Sequence, residues 1–86
     1  MAMDLADAIL TEHAALQIAK RQLGELELRR VLHSPEEIHE VREGRVVAQA
    51  MIGEHLVRVF IDVDRAPPEI VTAYRTSQIA KYRNQP

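Results

Sequence analysis

The 86-residue chain carries 11 Lys and Arg against 13 Asp and Glu, for a formal net charge of -2, and it contains no cysteine. That length allows a single hydrophobic core, and the lack of cysteine excludes disulfides, thiolate metal sites and a thiol nucleophile while remaining compatible with a reducing compartment. No apolar stretch approaches the ~20 residues of a membrane span, and an N-terminus opening with Asp4 and Asp7 is unlike the basic start of a signal peptide, so a cytoplasmic protein without membrane contact is expected.

Charge is distributed unevenly along the chain. Asp4, Asp7 and Glu12 open it without a base among them, whereas after Glu69 the only charged side chains are Arg75, Lys81 and Arg83. The basic end is either ordinary surface variation or a local anion-binding patch. Residues 1–10 read as an acidic lead, 11–83 as one domain and 84–86 as a tail.

From Thr11 to Leu23 the apolar residues Ala14, Ala15, Ile18, Ala19 and Leu23 follow a 3.6-residue stripe, which predicts a helix. Thr11 can cap it, although Asp4 followed by Asp7 offers an earlier start; Gly24 is the expected left-handed terminator. A second helix is predicted from Glu25 to Leu32, with Leu28, Val31 and Leu32 inward, and Ser34-Pro35 closes it.

The period then changes to two. Ile38–Arg42 and Arg45–Ile52 flank the two-residue turn Glu43-Gly44, and Gly53-Glu54 leads into Leu56–Val63, a pattern of hairpins. In that last strand Val57, Val59, Ile61 and Val63 share a face that must be core, opposite Leu56, Arg58, Phe60 and Asp62. Asp64–Pro68 is a loop because adjacent prolines cannot serve an internal ladder. Glu69–Arg75 is the fourth strand, with Ile70, Thr72 and Tyr74 assigned to one face and Val71 and Ala73 to the other. Thr76–Arg83 fits either a short helix or an edge strand. Short turns between strands require an antiparallel meander, so the expected fold is α+β: two N-terminal helices packed on a four-stranded antiparallel sheet. If the helices cover the aliphatic face, Arg58, Thr72 and Tyr74 lie on the open one; apolar residues on both faces leave the reverse arrangement available.

No metal or cofactor motif is present. His13, His33, His39 and His55 include no pair at helical ligand spacing, and the three glycines, Gly24, Gly44 and Gly53, are turn residues rather than a phosphate loop. His13 falls in the first helical turn, as an acid–base group or an ordinary surface histidine. His13, Gln17 and Arg21 form one ridge at four-residue intervals. Arg58 interrupts the strongest strand, either to bind an anion or to pair with Glu40 or Glu54. Thr72 and Tyr74 can hold a phosphate or merely pack on a strand.

The order of T-E-H-A at Thr11–Ala14, Arg21, V-L-H-S-P at Val31–Pro35, E-G-R at Glu43–Arg45, L-V-R-V at Leu56–Val59 and I-V-T-A-Y-R-T-S-Q-I-A-K-Y at Ile70–Tyr82 resembles a family of small bacterial domains of unknown function grouped by fold with RelE-like and barnase-like toxins. The resemblance implies a RelE-like fold and a metal-independent endoribonuclease of a toxin–antitoxin system. Such enzymes use general acid–base chemistry around the 2′-hydroxyl and arginines at the phosphate. It marks His13, Arg58 and Tyr74 as catalytic and Arg21, Thr72, Arg75 and Lys81 as substrate-binding, with RNA as substrate, no cofactor, and an antitoxin or a second copy as partner. Where the family often has arginine one turn after the histidine, this chain has Gln17. A catalytically inactive relative acting as a protein–protein interaction module is the alternative.

Overall fold

The computed structural model describes residues 5–83. The first helix, α1 (Glu12–Lys20), begins where Thr11 Oγ1 accepts from the Ala14 N–H at 3.2 Å, and it buries Ala14 and Ile18. The alternative start at Asp4 lies outside the described residues. The left-handed position after α1 falls on Gln22 (φ 59°) rather than on Gly24. Gly24 instead occupies the N-cap of α2 (Glu25–His33) with φ -80°, donating its N–H to Glu27 Oε1 at 3.0 Å. A glutamate at the third helical position thus satisfies a donor that would otherwise be orphaned. Leu28, Val31 and Leu32 of α2 are buried as their spacing requires.

Five strands follow the order β1-β5-β4-β3-β2, where β1 is Ile9–Leu10, β2 Glu37–Arg42, β3 Arg45–Ile52, β4 His55–Asp62 and β5 Glu69–Thr76. Strands β2 to β5 form the expected antiparallel meander. The expected four-stranded sheet gains a fifth member because Ile9 donates its N–H to Pro68 O at 2.8 Å and β1 lies parallel to the start of β5. Two residues are too few to show strand periodicity. The segment read as an acidic lead also places Leu5 and Ala8, each 2% exposed, in the core. At Gly44, between β2 and β3, φ is +86°, a left-handed backbone that favours glycine.

The sheet has two unlike faces. Val46, Ala48, Ala50, Val57, Val59, Ile61, Ile70 and Ala73 meet the apolar stripes of α1 and α2 in one core. The 20 Å short axis of the molecule corresponds to these two layers. On the opposite face lie Val47, Gln49, Arg58, Phe60, Asp62, Thr72 and Tyr74, in register across β3, β4 and β5. Ile70 was expected beside Thr72 and Tyr74 but points into the core. The pairs Phe60↔Thr72 and Ile61↔Ile70 leave Val71 as an extra residue, and that bulge inverts the alternation. The tail resolves as α3 (Ile79–Tyr82).

At one end of the open face Asp62, 8% exposed, accepts from Arg45 Nε at 2.6 Å and from Arg45 Nη2 at 3.2 Å. The Arg45 hydrogen bond outweighs desolvation and holds the Asp62 carboxyl below its ordinary 3.8. Its contribution to stability is therefore present above that unfolded value and lost as pH falls through the folded one. In urea titrations Asp62→Asn is expected to lose stability at neutral pH and to show a shallower acid-side decline than wild type; parallel declines in the two proteins would refute this assignment.

Candidate functional site

The open face is organised in rows that run across the strands. One row is Glu37, Gln49, Arg58 and Tyr74, each paired in register with the next across β2, β3, β4 and β5. Its side chains are joined end to end. Gln49 Nε2 donates to Glu37 Oε1 at 2.8 Å, Arg58 Nε donates to Gln49 Oε1 at 2.8 Å, and Arg58 Nη1 donates to the Tyr74 hydroxyl at 2.6 Å. The neighbouring row is His39, Val47, Phe60 and Thr72, so an aliphatic and an aromatic side chain lie between two polar ends.

Gln49 is the pivot. It is 1% exposed, and a buried amide is costly unless its donors and acceptor are used. Besides Glu37 and Arg58 it donates to the Tyr82 carbonyl at 3.1 Å, which fastens α3 over the face. Tyr82 then lies against Arg58, whose guanidinium carbon is 4.2 Å from the Tyr82 ring centroid, 5.3 Å from Phe60 and 5.8 Å from Tyr74. This is an aromatic cage around a cation. Among the described residues Arg58 has no carboxylate within ion-pair distance, unlike Arg45 and Arg65. Its charge is held by neutral groups, and that charge distribution suits an external anion.

Tyr82 responds to the same field. The neighbouring Tyr74 hydroxyl, then the positive charges of Lys81 and Arg58, lower its phenol below the usual 10.0 against an opposing desolvation effect. The Lys81 Nζ is 5.3 Å from the Tyr82 ring centroid. A cleft of about 730 Å³ opens here, with Val47, Arg58 and Phe60 from the sheet, His39, Glu40 and Val41 from β2, and Lys81 and Tyr82 from α3 among its walls. Among the described residues no cluster of three or more carboxylates and histidines is placed to hold a metal ion, and no helix is long and apolar enough to cross a membrane.

The residues singled out from sequence fall into three places. Arg58 and Lys81 line this cleft, and Tyr74 is joined to it through the hydrogen bond its hydroxyl accepts from Arg58. Arg21 reaches around the edge of β5, donating to Thr72 Oγ1 at 2.7 Å and to the Ala73 carbonyl at 2.9 Å. Thr72 is two residues from Tyr74 on the open face, about 7 Å along the strand. Arg75 turns to the helical side, where it donates to Gln22 O at 3.1 Å and lies 3.8 Å from Glu27. His13 is exposed on α1 and bonds Gln17 at 3.2 Å, on the layer that covers the other face of the sheet. Sequence reasoning missed Gln49, His39 and Tyr82. Gln49 was visible as a lone amide inside the apolar run Val46–Ile52, and the two-residue spacing of Glu37 and His39 already placed them on one strand face.

With Tyr74 and Tyr82 the only tyrosines, ultraviolet phenolate titration isolates the pair. Tyr74→Phe removes the leading cause of the shift and is expected to move the Tyr82 titration upward toward its ordinary value. A Tyr82 transition unmoved by Tyr74→Phe would contradict Tyr74 as the leading cause of the shift.

Residues 10–75 match the model of a family described as domain of unknown function DUF4258. No curated protein and no solved structure matches the chain. The match takes in both long helices, the antiparallel meander as far as Arg75, and the Glu37–Tyr74 row across its open face, and the chain belongs to the DUF4258 family.

Proposed function

We propose that this chain is a toxin-like, metal-independent endoribonuclease, related in fold to the RelE-like toxins, that grips an RNA phosphodiester on the open face of its sheet. The observation that carries this reading is Arg58: half-buried, caged by Phe60, Tyr74 and Tyr82, bonded to the neutral Gln49 and Tyr74, and, among the described residues, without a carboxylate at ion-pair distance. A phosphate supplies the missing negative charge, and a fixed guanidinium stabilises the further charge that develops as the phosphorane forms. Phe60 on the cleft floor gives a base a surface on which to stack. Lys81 adds local positive potential in a chain whose net charge is -2. A cytoplasmic site of action and an antitoxin that shields the open face follow from this reading.

Induced expression in a bacterium is expected to slow growth and deplete intact RNA, and Arg58→Ala to relieve both, consistent with a loss of about 100- to 1,000-fold when one preorganised charge stabiliser is removed. Unaltered growth and intact RNA in cells holding soluble, folded wild-type protein would sink the reading.

A second reading, a non-catalytic module that pairs with a second copy of itself, is favoured by strand β2. Among the described residues it is hydrogen-bonded as a strand only to β3, and its Ile38 and Val41 are 41% and 49% exposed, so a sheet edge carries apolar side chains. Light scattering is expected to give a dimer that Ile38→Lys dissociates; a monomer at every concentration removes this reading.

A further inference from the structure

We propose that His39, oriented by Glu37, is the general base of the open face: it takes the proton from the 2′-hydroxyl of an RNA strand whose phosphate is held by Arg58. The proposal rests on the ribonuclease reading and assigns a group that the resemblance did not mark. Glu37 and His39 are two residues apart on β2 and therefore share a face. His39 Nε2 lies 2.8 Å from Glu37 Oε1, and that oxygen also accepts from Gln49, whose own Oε1 accepts from Arg58 Nε. Arginine directly and histidine through the Glu37 carboxylate are thus fixed to the same buried amide, so the positions of base and phosphate clamp are set together.

With Nε2 committed to Glu37, Nδ1 is the nitrogen left to meet a substrate. A carboxylate behind an imidazole fixes its tautomer and stabilises the imidazolium that forms on proton transfer. The His39 side chain is 39% exposed and Glu37 23%, as expected of a ring that faces the cleft and a partner behind it. The register His39↔Val47↔Phe60 puts His39 two strand spacings from β4, about 10 Å between backbones, with Val47 and Phe60 as the apolar floor between them. Both His39 and Arg58 line the same cleft of about 730 Å³, a size usual for small-ligand pockets. His13, by contrast, is on the helical layer with Gln17 as its partner.

The step balances without a metal or redox partner. The bond from the 2′-oxygen to phosphorus forms, its proton passes to His39 Nδ1, the bond from phosphorus to the 5′-oxygen breaks, and the leaving oxygen takes a proton from water. The products are a 2′,3′-cyclic phosphate and a 5′-hydroxyl.

The test is cleavage of a short fluorescent RNA by the full purified chain, with binding followed by anisotropy on the same strand carrying 2′-deoxyribose. His39→Ala is expected to slow cleavage about 100-fold or more while retaining binding, added imidazole to restore part of the rate, and His39→Gln to remain folded, bind and stay slow. Wild-type-like cleavage by His39→Ala or His39→Gln, with Arg58→Ala or His13→Ala inactive, overturns the His39 assignment and leaves the ribonuclease reading standing. Loss of rate accompanied by loss of binding in both His39 variants, with no imidazole rescue, also overturns it, because the residue is then structural. No cleavage by wild type overturns both.

Discussion

One buried amide ties this molecule together on the face that the helices do not cover. Gln49 is fully enclosed and spends its hydrogen-bonding groups on Glu37, Arg58 and the Tyr82 carbonyl. Those partners come from β2, β4 and the end of α3. A one-residue slip of β3 would carry the amide into the aliphatic core, where it would find no partner, so the polar row disfavours alternative registers as strongly as the apolar face does. No buried side-chain nitrogen or oxygen among the described residues lacks a hydrogen-bond partner. A network in which every member is satisfied can be held rigid in low dielectric surroundings.

The two faces of the sheet differ in what they carry. The helical side is made of small and branched residues, with Leu28, Val31, Val57, Val59, Ile61 and Ala73 all fully buried, and it supplies most of the hydrophobic driving force. That leaves the other face free to carry groups poorly suited to a core. Arg58 can keep its charge there because aromatic rings and neutral dipoles surround it, whereas Asp62 at the end of the face is neutralised by Arg45. The one surface thus carries both a carboxylate paired with an arginine and an arginine held by neutral groups.

Backbone irregularities decide which residues reach that surface. The bulge at Val71 allows Ile70 to enter the core while Thr72 and Tyr74 remain outside. The short β1 ends after two residues, so the rest of the β5 edge is open to Arg21, which binds the Ala73 carbonyl there. An arginine thus satisfies an edge acceptor that a longer β1 would have occupied. Thr72, the other partner of Arg21, joins that edge to the Phe60 row.

The sequence alone determined the α+β class, both long helices and the antiparallel meander, because each rests on a local period of 3.6 or 2 and on turns marked by glycine or proline. Leu28, Val31 and Leu32 could face only one way, and Val57, Val59 and Ile61 could share only one face. It also singled out Arg58 and Tyr74, since a charge and a phenol interrupt otherwise apolar alternation. Only the tertiary structure decided the rest. Strand β1 is two residues long and exists through its pairing with β5; the Val71 bulge depends on the register of β4. The union of Glu37, His39, Gln49, Arg58 and Tyr82 is a contact among three strands and the C-terminal helix. No periodicity encodes such a site, because its residues are neighbours through hydrogen bonds across the sheet rather than along the chain.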